Sequence, residues 1–241
     1  MTWGGKMIHT LDDFIQAFQR VQARGWIQTH RSGPTGIGKT LEDLLGIPEN
    51  NAGEPDFGVY ELKSARSKSN SMLTLFTLAP QPKKANAYLL AKYGYIDAKK
   101  GKLALRTTLS TDRFANIQSK HSMKMTFVDD RIYFESELGI EQVYYETDSL
   151  LQALRKKYAG ELVYAYAEHK GSKANEHFKF HSAYTATMNY EHFLDLLRGG
   201  VVKIDIRLGL YPDGKTHDHG TAFRISPRDQ DALLLNKRKI V

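Results

Sequence analysis

The chain has 241 residues, 41% of them apolar and 25% charged, with a formal net charge of +7 and no cysteine. That balance builds a globular core and excludes a disordered or collagen-like chain, and the zero cysteine count excludes disulfides and thiolate metal sites. No apolar run approaches the roughly 20 residues of a spanning helix, and MTWGGKMIHTLDD lacks a signal-peptide core, so an intracellular, cytoplasmic protein with a polyanionic partner is expected.

In chain order, the first predicted element is a helix over 10–23. Thr10 can cap it with Asp13 as partner, Leu11, Phe14, Phe18 and Val21 share one face, and Gly25 offers a stop. A polar loop, HRSGPTGIGKT at 30–40, leads into a short amphipathic helix over 39–45. Strands are predicted over 57–64 and 72–78, then a helix over 85–92 and a strand over 102–109. FVDDRIYFE at 127–135 reads as a hairpin about Asp129 and Asp130. A helix over 148–158, a strand over 161–167, a helix over 190–198 and strands over 201–208 and 221–225 complete the pattern. Helices and strands mixed without strict alternation indicate an α/β or α+β fold rather than a Rossmann-like array.

Two motifs compete for the chemistry. Gly33-Pro34-Thr35-Gly36-Ile37-Gly38-Lys39-Thr40 matches the phosphate-binding pattern G-x-x-x-x-G-K-[ST] in full. A P-loop follows a buried apolar strand, however, and WIQTHRS at 26–32 is too polar to be one. The segment reads as a glycine-rich turn opening a helix, whose N-terminus still favours an anion such as a DNA phosphate. The second motif, PDFGVYELK at 55–63, contains Asp-x4-Glu-x-Lys. On an extended strand Glu61 and Lys63 project from one face, about 6.6–6.8 Å apart, while Tyr60 and Leu62 face a core. Asp56 can approach Glu61 across a bend. Two carboxylates hold Mg²⁺ and leave positions for water and phosphate, and a lysine can orient the water and offset transition-state charge. The plainer alternative is a set of charges on an exposed strand.

Several segments together resemble the MvaI/BcnI group of type II restriction endonucleases, which share a fold with the mismatch-repair nickase MutH. The resemblance rests on TGIGKTLEDLLG at 35–46, PDFGVYELKS at 55–64, SMLTLFTLAP at 71–80, KIDIRLG at 203–209 and KTHDHGTAFRI at 215–225. GIGKT and THDHGTAFRI read as closer to the MvaI branch. The resemblance implies a MutH-type core in two lobes around a DNA cleft. A mainly catalytic lobe would span 1–110 and a mainly DNA-recognition lobe 111–241. It implies that Asp56 and Glu61 are the metal-binding carboxylates, Lys63 the catalytic lysine, and Glu42 an additional acidic residue supplied by the preceding helix. Asp43, its neighbour, is the rival for the exposed position.

Near the C-terminus, Asp205 and Arg207 alternate with Ile204, Ile206 and Leu208, giving one polar and one apolar face. His217 and His219 could bind a metal or simply form a polar turn. The resemblance implies a third role, in which Asp205, Arg207, His217, His219 and Arg224 face the major groove. Arg pairs with guanine O6 and N7, Asp accepts from the cytosine amino group, and His donates to guanine, an inventory suited to the outer pairs of CC/WGG. Thr77 stands where the BcnI branch has a histidine, favouring W at the centre over S, with N as a further possibility. The expectation is therefore a monomeric, Mg²⁺-dependent endonuclease acting on double-stranded DNA. It would leave 5′-phosphate ends by successive nicks and have a cognate methyltransferase as genetic partner. The rivals are a related enzyme of CCNGG, CCSGG or nicking specificity, a P-loop NTPase and a non-catalytic DNA-binding module.

Overall fold

Thr10 accepts a hydrogen bond from the Asp13 amide while the Asp13 carboxylate reaches back to the Thr10 amide, a reciprocal cap that starts α1 (Leu11–Ala23) where the sequence places it. The computed structural model describes residues 7–48, 55–67, 71–99 and 101–241. After α1 come β1 (Ile27–Gln28), α2 (Gly36–Leu45), β2 (Tyr60–Arg66), β3 (Leu73–Thr77), α3 (Ala85–Tyr93), β4 (Tyr95–Asp97) and β5 (Lys102–Leu109). The chain continues through β6 (Ala115–Ile117), β7 (His121–Val128), β8 (Arg131–Ser136), β9 (Gly139–Glu146), α4 (Thr147–Lys157), β10 (Glu161–Lys170) and β11 (His177–Met188). It ends with α5 (Tyr190–Arg198), β12 (Val202–Leu210), β13 (Thr216–Asp218), β14 (Ala222–Ile225) and β15 (Leu234–Lys239). Among the described residues no helix is long and apolar enough to cross a membrane.

The chain folds into two compact units, and it does not divide between them at a single boundary near residue 110. Unit 1 takes 1–71, 155–189 and 231–241; unit 2 takes 72–154 and 190–230, so the chain crosses between them four times. The boundary expected from the sequence fails because β10, β11 and β15 complete the sheet that β2 begins.

In unit 1 the strands run β1-β11-β10-β2, with β15 also pairing to β11. β2 is an edge strand, parallel to β10; the other pairs in this sheet are antiparallel. One face of the sheet buries Leu62, Val163, Ala165, Ala167, Phe178 and Phe180 against Phe14 and Phe18 of α1 and Leu41 and Leu44 of α2. Area removed from water by residues of this kind contributes about 1.5–3 kcal/mol per fully buried side chain. This core fixes which way β2 presents its polar residues, because a shift of one residue would turn every side chain over.

In unit 2, β3-β14-β12-β5-β4 form one sheet, with β13 also pairing to β12, and β6-β7-β8-β9 form another. Phe76, Phe193, Phe223 and Tyr145 cluster between elements of this unit, with ring centroids 4.8–6.3 Å apart. A buried carboxylate, Glu141, ties α3 to β8 and β9. It accepts from Lys92 Nζ at 3.0 Å, Ser136 Oγ at 3.1 Å and the hydroxyls of Tyr88 and Tyr93. Burial alone would raise its pKa, but the Tyr88, Tyr93, Lys92 and Ser136 donors together hold it below the ordinary glutamate value.

Candidate active site and a second polar face

The chain enters β2 through a tight turn. Phe57 N donates to Tyr60 O at 3.1 Å and Tyr60 N returns to Phe57 O at 2.8 Å, so the strand begins at Tyr60, three residues later than the apolar pattern suggests. Gly58 sits at φ +52°, and a Cβ there would lie 2.4 Å from the His9 carbonyl oxygen, so only glycine fits. The turn stacks Phe57 on Phe14 and on Tyr60. It also brings Asp56 back onto the strand, where Asp56 Oδ2 accepts from the Leu62 amide at 2.8 Å.

Glu61 and Lys63 share the face of β2 turned away from the helices, and the lysine ammonium contacts Glu61 Oε1. Lys157, in the last turn of α4, reaches the same oxygen at 3.0 Å. Glu61 is only 2% exposed, and its Oε2 is buried with no partner. Asp56 has its pKa raised, first by burial and then by the negative charge of Glu61. A bare buried carboxylate oxygen beside a carboxylate strained by its neighbour's charge is what a cation would relieve. The donor set is hard oxygen, so Asp56 and Glu61 fit a divalent ion such as Mg²⁺.

Glu42 and Asp43 diverge. Asp43 pairs with Lys39 Nζ at 2.7 Å and His30 Nδ1 at 3.0 Å. Burial works to raise its pKa, and hydrogen bonds from those two partners bring it below the ordinary aspartate value. Glu42 is half-buried on α2, and a Cβ added to Gly38 would meet its Oε1 at 3.7 Å and Ser64 Oγ at 3.8 Å. Among the described residues no three His, Asp or Glu side chains gather as a metal-holding group, so the structure does not bring Glu42 together with Asp56 and Glu61.

The phosphate-loop pattern has no phosphate-binding geometry. Thr40 is fully buried; its hydroxyl donates to Gly36 O at 2.7 Å and accepts from the His30 amide at 2.9 Å. Arg66 binds the carbonyls of Pro34 and Gly33 at 3.0 and 3.1 Å, so this loop presents oxygens to a cation. The preceding strand, β1, is two residues long and antiparallel to its neighbour, unlike the strand a P-loop follows.

In unit 2 a polar face is built on β12. Asp205 is 8% exposed, and its Oδ2 accepts from Arg207 Nε, Arg207 Nη2 and Arg224 Nη1, each at 2.7 Å, while Thr108 Oγ1 donates to Oδ1 at 3.0 Å. Both oxygens thus have partners within the protein. Arg224 Nε is buried with no partner. The register places Thr108 opposite Asp205 and Arg106 opposite Arg207. An open pocket of about 510 Å³ lies here, lined by Arg106, Thr108, Asp205, Arg207 and His219 among others. His217 stacks on Tyr211 with centroids 4.1 Å apart and meets the tilted ring of His219 at 3.9 Å. Asp218 fixes this turn by accepting from the Gly220 and Thr221 amides and from Asn86 Nδ2. The His-x-His pair has no third ligand among the described residues. Thr77 is exposed on β3, opposite Ala222 and beside Gly220.

Sequence reasoning missed Lys157, Arg106 and Thr108. Arg106 and Thr108 carry the same two-residue alternation as Asp205 and Arg207, and only the strand register was lacking. Lys157 belongs to a basic run, Arg155-Lys156-Lys157, that gives no hint of which member meets Glu61.

The sequence matches the MvaI/BcnI restriction endonuclease family over residues 15–234. It is similar to a solved structure described as "Restriction endonuclease MvaI-cognate DNA substrate complex", at 35% identity and a TM-score of 0.84, over 98% of this chain and 100% of that one. A second, "Restriction endonuclease MvaI in the absence of DNA", is 31% identical with a TM-score of 0.59 over the same shares. No curated protein in a separate comparison matches. With a family match across most of its length, and this likeness spanning the whole of a solved member, the chain belongs to the MvaI/BcnI restriction endonuclease family and so to the type II site-specific deoxyribonucleases.

Proposed function

We propose that the chain cuts double-stranded DNA at CC/WGG in a Mg²⁺-dependent reaction that leaves 5′-phosphate and 3′-hydroxyl ends. The observation that carries the chemistry is the bare, buried Glu61 Oε2 beside Asp56 and Lys63. Asp56 and Glu61 would hold the ion. When bound, Mg²⁺ polarises the phosphoryl oxygen and lowers the pKa of a bound water. Lys63 orients the attacking water and offsets the charge that builds on phosphorus during in-line attack. Glu42 serves as an outlying acidic residue on the α2 side.

Duplex DNA as substrate is supported by the solved relative bound to its cognate DNA. In unit 2, Asp205 holds Arg207 and Arg224 as pre-set forks for guanine acceptors, while its Oδ1, which accepts from Thr108, keeps a lone pair for a cytosine amino group. His217 and His219 supply further donors, and Thr77 lies near the central pair. The likeness to MvaI supports CC/WGG, with CCNGG and CCSGG as alternatives at the centre. One site per chain implies a monomer that nicks the strands in succession, with a methyltransferase protecting host DNA. The test is cleavage of a fully sequenced plasmid with Mg²⁺ and without ATP, followed by sequencing of the ends. Discrete ends within CCWGG are expected. Discrete ends elsewhere would overturn the base-reading roles, and intact DNA from folded protein would overturn the nuclease reading.

A further inference from the structure

We propose that Lys157 is a positioning residue of the cleavage site, sharing Glu61 with Lys63 so that Lys63 can leave the carboxylate and serve the attacking water. The inference rests on the nuclease reading above. Both ammonium groups meet one oxygen, Glu61 Oε1, while Oε2 has no partner. This uneven use of a buried carboxylate reserves Oε2 for a cation and crowds Oε1. A lysine drawn onto Oε1 has its ammonium held at that oxygen, with only two of its three N–H donors left for water. If Lys63 were the sole partner of Oε1, its departure would leave that oxygen of a 2% exposed carboxylate unpaired even with a cation on Oε2. Lys157 removes that conflict. It comes from a different element, the last turn of α4, where the helix C-terminus favours a cation. Its place therefore does not depend on the rotamer that Lys63 adopts on β2.

The test compares the wild type with Lys157→Met, which keeps the apolar stem, and Lys157→Arg, which keeps the charge. Ca²⁺ binding to DNA-free protein is measured by calorimetry. Single-turnover cleavage is measured at saturating Mg²⁺. Lys157→Met is expected to bind Ca²⁺ about three- to tenfold more tightly, because a cation beside the site no longer repels the ion. It is expected to cleave about 10- to 100-fold more slowly, because Lys63 stays on Glu61. Lys157→Arg should stay near wild type in both. Damage to the fold would weaken Ca²⁺ binding and slow cleavage together, so the opposite movements mark positioning. Unchanged cleavage by Lys157→Met, or weaker Ca²⁺ binding, overturns the proposal while leaving an active wild type as a nuclease. A folded wild type that never cuts DNA overturns the nuclease reading itself, and this proposal with it.

Discussion

Glu61 in unit 1 and Asp205 in unit 2 are built from similar parts: each is a buried carboxylate on a strand, gripped by two cationic side chains. They differ in what is left unsatisfied. Around Glu61 two lysines crowd one oxygen, and the open position is an acceptor, Oε2. Around Asp205 two arginines and Thr108 occupy both oxygens, and the open position is a donor, Arg224 Nε. Lysine is a compact point charge, whereas arginine is a planar fork that matches acceptor pairs. A bare buried acceptor invites a metal ion and chemistry; a bare buried donor on a fixed fork invites a base edge and reading. Composition does not separate the two clusters, but their unfilled valences do.

The largest expected effect comes from Asp56→Asn. Cleavage should fall by at least about a thousandfold in a single-turnover assay, with metal-free DNA affinity retained. The same change should raise the unfolding midpoint by about 2–4 °C at pH 7. The sign follows from the raised pKa of Asp56: the stability it contributes in acid is lost as pH rises through its folded value, so removing the charge relieves a penalty at neutral pH. A falling midpoint would mean that Asp56 is a structural ion pair, and the contrast with Asp205 would blur.

Asp205→Ala should do the reverse. It strands two arginines, lowers stability by about 3 kcal/mol in denaturant titration and weakens cognate-site binding far more than random DNA. DNA once bound should still be cut. Loss of cutting with intact affinity would dissolve the distinction between the two clusters. Glu141→Gln sharpens the contrast from a third carboxylate, whose valences are filled by Tyr88, Tyr93, Lys92 and Ser136. Its depressed pKa gives stability that is full above about pH 4.5 and lost as pH falls through the lower folded value. The variant should lose about 2 kcal/mol at pH 7 and show a flatter midpoint-versus-pH curve in acid. The smallest effect is expected for Lys39→Ala, which breaks a helical pair with Asp43 and should cost about 0.3–0.5 kcal/mol with cleavage unchanged. A large loss of activity would reopen a phosphate-binding role for the loop.

Local signals carried much of this. The Thr10 cap, the alternation that sets Glu61 and Lys63 on one face, and the polar face of β12 are short-range patterns. The expectation that Asp56 returns across a bend also holds, because Gly58 permits the turn. Long-range pairing was not legible. β11, with its run HFKFHSAYTATM, was not anticipated, and neither was β15, although both complete the sheet that carries Glu61. Lys157 lies 96 residues beyond Glu61 in the chain, and only the β2–β10 register brings it near. The complete G-x-x-x-x-G-K-[ST] match shows the converse: a local pattern whose hydroxyl and lysine are already committed within α2.

The four crossings between units have a consequence for inheritance. Stretches of unit 1 lie before, between and after those of unit 2, so a single recombination within unit 2 divides both units between parents. Under the proposed reading, a catalytic unit and a reading unit cannot be exchanged as contiguous blocks. On that same reading, new sequence preference would arise by substitutions in place on β5, β12 and β14.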